Sequence, residues 1–245
     1  MSTAPAADQR RLLDVQELDT RLAQLAHQRR SLPALARIVE LDAQLADLDT
    51  ALVTSRTAAS DLRAELAKAE ADVAQVRNRA TRDQQRLDAG QVSAKDAQAL
   101  TSELASLAAR QSHLEDVELE VMERLEAHEA ALAELEQAHA ALVSARDEVV
   151  AERDSGWAQV DAEADRVRAQ RDRTADGLDA GLVALYERLR GQLGGSGAAA
   201  LRGSRCEGCR LELNPLDLEA IRARPADAIV RCEECGRILV RGAEG

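Results

Sequence analysis

Phenylalanine is absent from this 245-residue chain, which holds one tryptophan (Trp157) and one tyrosine (Tyr186). Aromatic side chains bury the most area per residue and dominate most cores. Their scarcity argues against the thick layered cores that a chain of this length normally builds. It also excludes nucleic-acid folds that stack bases on Phe or Tyr platforms. Proline is nearly as scarce: only Pro5 and Pro33 precede residue 200. No run approaches the roughly 18 apolar residues that span a bilayer. The opening MSTAPAADQRR lacks the basic-then-apolar order of a signal peptide. Both absences point to a soluble cytoplasmic protein without membrane contact.

What is present is helical in character. Apolar residues make up 45% of the chain, most of them Ala and Leu, and charged residues make up 31%. That mixture indicates long helices or coiled coil. The net charge of −12 lies entirely in residues 1–190, with 24 basic against 36 acidic residues; residues 191–245 hold eight of each. The acidic part is a poor general surface for phosphates.

From Ile38 to Leu87 apolar residues recur at alternating steps of three and four, and thirteen of fifteen such positions are apolar, Ser55 and Asp83 excepted. A 3.5-residue period held this long predicts a left-handed coiled coil. Val15, Leu18, Leu22 and Leu25 share the spacing in another phase, so a kink is expected near 31–33, where Pro33 removes an amide donor. Ser31 is placed to cap the restarted helix. The pattern stops near 88–93, and Ser93-Ala94-Lys95-Asp96 has the form of a capping box. A looser seam follows from Ala97 to Val149, apolar at eleven of sixteen positions, in a helix expected to reach about residue 175.

Two arms of about 80 residues, each on the order of 120 Å long at 1.5 Å per residue, flank one short turn. The fold expected is mainly α: a long antiparallel coiled-coil hairpin followed by a small C-terminal β zinc ribbon. The hairpin is assigned to 1–190, with a final helix over about 176–190 ended by Gly191, and the ribbon to 191–245. If paired positions sum to about 183, Ser55 meets His128 in a polar layer; both as tolerated seam imperfections is the alternative. Residues 191–203, with five glycines, read as a flexible joint entering a short strand. They lack the Gly-Lys-Ser/Thr of a phosphate loop.

Chemistry concentrates in Cys206-Glu207-Gly208-Cys209 and Cys232-Glu233-Glu234-Cys235, two Cys-x-x-Cys pairs 22 residues apart. Two such pairs close a tetrahedral thiolate shell around a structural Zn²⁺, with Cys206, Cys209, Cys232 and Cys235 as ligands. A redox dithiol and a rubredoxin-type iron site are the alternatives. The first normally uses one pair, and the second usually surrounds the iron with aromatics. Gly236 suits the reversal after the second pair, residues 229–231 and 238–240 read as two strands of a hairpin, and Asn214-Pro215 caps a short helix to Arg224. A ribbon of about 50 residues with so few apolar side chains is expected to need the metal in order to fold.

With these residues in place the chain resembles a bacterial family of C4-type zinc-ribbon proteins with an N-terminal coiled-coil hairpin. The resemblance rests on Ser102-Glu103-Leu104, Leu114-Glu115-Asp116, Val121-Met122-Glu123, Tyr186-Glu187-Arg188-Leu189 and Cys232 to Leu239. It implies an adaptor or chaperone binding a sigma factor, secretion-apparatus components or another cytoplasmic protein, with nucleic-acid binding proposed. The four zinc ligands and the architecture are what carry over.

The expectation for function is a non-catalytic zinc-binding adaptor, possessing no catalytic residues and no small-molecule substrate, and transcription-related by resemblance. Residues 115–136 hold nine acids against Arg124 and suit a basic partner, or simply form a solvated face. The alternative is RNA or DNA binding through Arg77, Arg79, Arg82 and Arg86 near the turn and Arg205, Arg210, Arg231 and Arg237 in the ribbon, where Arg202, Arg222 and Arg224 also lie.

Overall fold

A computed structural model describes residues 2–242. The elements run α1 (Ala6–Arg30), α2 (Pro33–Asp88), α3 (Ala94–Ala175), α4 (Ala180–Gln192), β1 (Ala198–Arg202), β2 (Arg205–Cys206), α5 (Pro215–Ala223), β3 (Val230–Arg231) and β4 (Ile238–Val240). The long helices form the expected antiparallel hairpin. The chain divides into two compact units, one of residues 37–149 and one combining the segment up to Ala36 with everything from Val150 onward.

In the unit of residues 37–149, α2 and α3 pair along the seam. Leu41, Leu52, Ala59, Val73 and Val76 are buried on one side and Leu100, Leu107, Val121 and Leu125 on the other. Ser55 Oγ lies 3.1 Å from His128 Nε2, which also approaches the Ser55 carbonyl at 2.9 Å, so the polar layer forms at the pairing expected. Asp83 is buried on the seam beside Arg79 and Arg86. Ion pairs stitch the margins: Arg56–Glu136 (2.8 Å), Arg63–Glu129 (2.6 Å), Arg77–Glu115 (2.5 Å) and Arg146–Asp42 (2.9 Å). Exposed pairs of this kind contribute little each, but they oppose slippage. The turn has Gly90 at φ +64°, a conformation that favours glycine. Ser93 Oγ accepts from the Asp96 amide at 3.2 Å and donates to the Asp96 carboxylate at 2.6 Å.

In the other unit the kink falls where Pro33 requires it, since α1 ends at Arg30 and α2 starts on the proline. Ser31 corrects its expected role. Its hydroxyl donates backward to the His27 carbonyl at 3.0 Å, closing α1 rather than capping α2. Proline at the first helical position has no N–H to satisfy there. Trp157 fills the break: its indole N–H donates to the Arg29 carbonyl at 3.1 Å, and Arg29 and Arg153 lie over its ring.

Helix α4 is capped by Asp179, whose carboxylate accepts from the Leu182 amide at 2.8 Å. It runs through Gly191 and stops at Leu193, followed by Gly194 at φ +72°. The Gly195 amide bonds back to the Arg190 carbonyl at 2.9 Å, a Schellman closure. Gly191 is therefore helical, because the glycine pair after Leu193 supplies the left-handed exit.

The sheet order is β2-β1-β4-β3. The hairpin of β3 and β4 is as expected; β1 additionally joins β4 in parallel, Ala198 opposite Ile238. The N-terminal segment extends this region, with Thr3 bridging Ala228 and the Ile229 amide donating to Ser2 O at 3.1 Å. Alternation along the strands gives the sheet two buried faces. Ala198 and Ile238 pack with Leu12, Val15, Leu182, Tyr186 and Leu189 of α1 and α4. Ala199 and Leu239 pack with Leu213, Leu218, Ile221, Val230 and the cysteines. The ribbon thus has a helical floor, which the short apolar count of residues 191–245 does not reveal.

That floor also removes the flexible joint. Gln16 Oε1 accepts from the Gly197 and Ala198 amides at 2.8 and 3.3 Å, and its Nε2 donates to the Gly195 carbonyl at 3.3 Å. A Cβ on Gly197 would lie 2.7 Å from the Tyr186 carbonyl oxygen. The glycines permit close packing here, and the segment is held by α1 and α4.

Candidate metal centre

Two turns built alike bring the four cysteines together. In the first, the Arg210 amide donates to Cys206 O at 2.7 Å and the Cys206 amide to Leu211 O at 3.1 Å; in the second, Gly236 donates to Cys232 O at 2.8 Å and Cys232 to Arg237 O at 2.9 Å. The residue after each second cysteine turns left-handed, Gly236 at φ +73° and Arg210 at +60°. Arg210 is the one non-glycine among the described residues in that region. Gly208 is required for contact, because a Cβ there would lie 2.7 Å from Arg237 Cδ and 2.9 Å from Ala199 Cβ.

All four sulfurs lie within 4.8 Å of one another. Cys206 and Cys235 approach to 3.9 Å, as do Cys209 and Cys232. Zinc–sulfur bonds of about 2.3 Å in a tetrahedron place sulfurs about 3.8 Å apart, so the set fits zinc, while a disulfide needs about 2.05 Å. The first cysteine of each pair is buried and the second half-buried. Amides of residues two and three ahead point at the buried sulfurs: Gly208 and Cys209 at Cys206, Glu234 and Cys235 at Cys232. Such donors favour the thiolate.

Without metal, burial pushes the Cys206 thiol up to about 12, against the pull of those amides. Burial raises Cys232 as well. At Cys235 burial works in the same sense but is outweighed by the Arg237 amide and side chain and by the neighbouring thiols, bringing it down to about 7. Zinc binding must therefore displace protons. Four thiolates complete a tetrahedral shell, which suits a structural ion.

The eight arginines singled out in the sequence fall four in each compact unit. Arg77 pairs with Glu115, Arg79 with Glu103 and Asp83, and Arg86 with Asp83. Arg82 lines a shallow groove on α2. In the ribbon, Arg205 Nε donates to Arg210 O at 3.1 Å, and Arg231 Nε donates to Gly236 O at 2.8 Å, the equivalent bond in each turn. Arg237 Nε reaches Ser196 Oγ at 3.1 Å. Arg205 and Arg231 are therefore braces of the metal turns. The repeated Arg-Cys-Glu-x-Cys spelling is the signal for this role. The reaching of Gln16 into residues 195–198 carries no sequence signal.

A helical hairpin bearing a C4-type zinc ribbon is the class of protein that this fold and this centre define. Residues 15–194 match the CT398-like coiled coil hairpin domain and residues 205–239 the C4-type zinc ribbon domain, and the chain belongs to the CT398-like coiled-coil hairpin family. It is 37% identical to an uncharacterized protein of Mycobacterium tuberculosis over 239 residues, 97% of each chain. A solved Mycobacterium smegmatis structure is similar at a TM-score of 0.88 with 35% identity, covering 98% of this chain and 100% of that one. CT398 from Chlamydia trachomatis shares the fold at a TM-score of 0.69 with 19% identity, covering 96% and 98%. The matched families are coiled-coil and zinc-ribbon types, and no helix among the described residues is long and apolar enough to cross a membrane.

Proposed function

We propose that the protein is a non-catalytic cytoplasmic adaptor of chaperone-like kind, which holds a protein partner with its coiled-coil hairpin and zinc ribbon. One observation carries this reading. On α3, Leu119, Met122, Glu123 and Glu126 fall at i, i+3, i+4 and i+7 and so share one face. Leu119 and Met122 are 51% and 38% exposed. Of the nine acids in residues 115–136, Glu115, Glu129 and Glu136 pair with α2 arginines, whereas Asp116, Glu118, Glu123 and Glu126 have no ion-pair partner among the described residues. Exposed apolar anchors framed by uncompensated acid fit a basic amphipathic segment, the charge steering encounter and the anchors supplying residence. By family resemblance the partner is a sigma factor or another cytoplasmic protein. The closed four-thiolate shell supports a non-catalytic metal, since it keeps no position for water or substrate.

The test is photo-crosslinking in the native cell from a reactive residue at position 119 of the full chain. A protein crosslinked through a basic amphipathic segment, and lost when Leu119 and Met122 are both replaced by Glu, is the expected result. Absence of any protein crosslink overturns the reading.

A further inference from the structure

Arginine behaves differently in the two parts of the chain. In the helical arms most arginines pair with carboxylates; between residues 191 and 242 none does among the described residues, and Arg205, Arg222, Arg231, Arg237 and Arg241 donate to backbone carbonyls or a hydroxyl instead. Charge that is hydrogen-bonded but not neutralised remains available to a ligand.

Four arginines without an ion pair converge. Arg222 and Arg224 at the end of α5, Arg241 after β4 and Arg10 of α1 line one open cavity of about 460 Å³, whose other walls are small or apolar and include no acid among the described residues. None of the four forms an ion pair among the described residues. Arg241 is locked: its two terminal nitrogens reach the carbonyls of Ile221, Arg224, Pro225, Ala226 and Ala228 at 2.6–3.3 Å. Those bonds occupy its terminal N–H donors and leave its charge. Arg222 makes one long bond, 3.4 Å to the Gly203 carbonyl, and the Arg10 and Arg224 side chains make none within the described protein. Three guanidiniums with one long hydrogen bond among them surround one fixed cation, and an anion between them would offset their mutual repulsion.

We infer that this cavity binds a ligand carrying two or more linked phosphate groups, gripped by Arg10, Arg222 and Arg224 over the fixed charge of Arg241. Guanidinium forks match phosphate oxygens in planar, paired hydrogen bonds. A single phosphate would neutralise at most half of the four charges, whereas linked phosphates match them. The site goes beyond the adaptor reading and uses neither the metal nor the α3 face. Free oligophosphates and consecutive phosphodiesters of a single strand offer the same chemistry.

The test titrates the zinc-loaded full chain with inorganic pyrophosphate and, separately, with a ten-residue oligothymidylate, following arginine Nε–H resonances by NMR while the amides of the two metal turns report that zinc is retained. Expected are saturable shifts at Arg10, Arg222 and Arg224, weakened about ten-fold or more in R222A/R224A and in R10A, since each loses charge-assisted hydrogen bonds. R10A removes a side chain that makes no bond in the fold, so its effect is not one of misfolding. Saturation by pyrophosphate alone assigns a free oligophosphate; saturation by oligothymidylate that pyrophosphate displaces assigns the polymer backbone. No saturable shift with either probe, oligothymidylate binding that pyrophosphate does not displace, or shifts unchanged in both variants overturns the site.

Discussion

Tyr186 donates its hydroxyl hydrogen to Asp19 Oδ2 over 2.7 Å, and both side chains are buried. Asp19 also accepts from Arg171 at 3.2 Å and lies 3.5 Å from Arg190, and both guanidiniums meet again on Glu187. Two carboxylates and two guanidiniums thus tie α1, α3 and α4 around the chain's single tyrosine. Burial of this kind is tolerable because each charge is paired and hydrogen-bonded.

Replacing Tyr186 by Phe leaves Asp19 short of one donor and is expected to cost about 1–3 kcal/mol in urea unfolding. Replacing Asp19 by Ala leaves the guanidiniums without their shared anion and costs more, about 3–5 kcal/mol. Equal effects for the two variants would contradict the network.

Burial, followed by the hydrogen bond and charge of Asp19, raises the Tyr186 pKa strongly. The unfolded phenol titrates near 10. A folded value above the unfolded one means the stabilisation is complete below about pH 10 and is lost as pH rises from there toward the folded pKa. Phenolate absorbance at 295 nm, which reports this residue alone, should therefore appear only as the helices melt. A midpoint near pH 10 in the folded protein would reject this.

Chelation of zinc from the full chain should collapse the cluster that contains Cys206, Leu213, Ile221 and Leu239, seen as lost dispersion of their NMR signals, while circular dichroism retains most of its helical signal. Structural zinc supplies folding free energy only where its ligands nucleate the packing. Helix loss in residues 37–149 would be the contrary result.

Arg205→Ala and Arg231→Ala each remove a brace from one metal turn. Partners of this outer kind typically change metal affinity about 10–100-fold, so competition with a chelator should show weaker zinc retention in both. An effect at one turn only would break the equivalence argued from their matching hydrogen bonds.

The polar layer on the seam has the opposite sign. Replacing Ser55 and His128 together by Leu should stabilise the unit of residues 37–149 by about 1–2 kcal/mol in urea, at the expense of a polar layer that helps to fix register. Destabilisation would show that the hydrogen bonds outweigh apolar burial there.

What could be read directly from the residues was whatever is local or periodic. The steps of three and four from Ile38 to Leu87, Ser93 before Asp96, Asn214 before Pro215 and the two cysteine pairs are short-range signals, and each meets its expected partner. The parallel pairing of Ala198 with Ile238, the reach of Gln16 to residues 195–198 and the bridge from Thr3 to Ala228 span 40 to more than 220 positions. No local pattern encodes such contacts. Alanine also disguises β1, because it is depleted in strands and is legible there only through the burial that α1 and α4 supply. Gly191 illustrates a related ambiguity: several glycines follow one another, and which of them ends the helix is decided by packing.

The packing of α1 against residues 178–238 has a consequence in time. Ser2, Thr3, Leu12 and Val15 take their places against residues 178–238. A ribosome adding about 5–20 residues each second delivers those partners roughly 10–40 s after α1 has emerged. During that interval α1 is an amphipathic segment with its apolar stripe uncovered, open to capture by any holdase that reads nascent chains. A helix made early is thus sheltered by α4, β1 and β4, which are all made well after it.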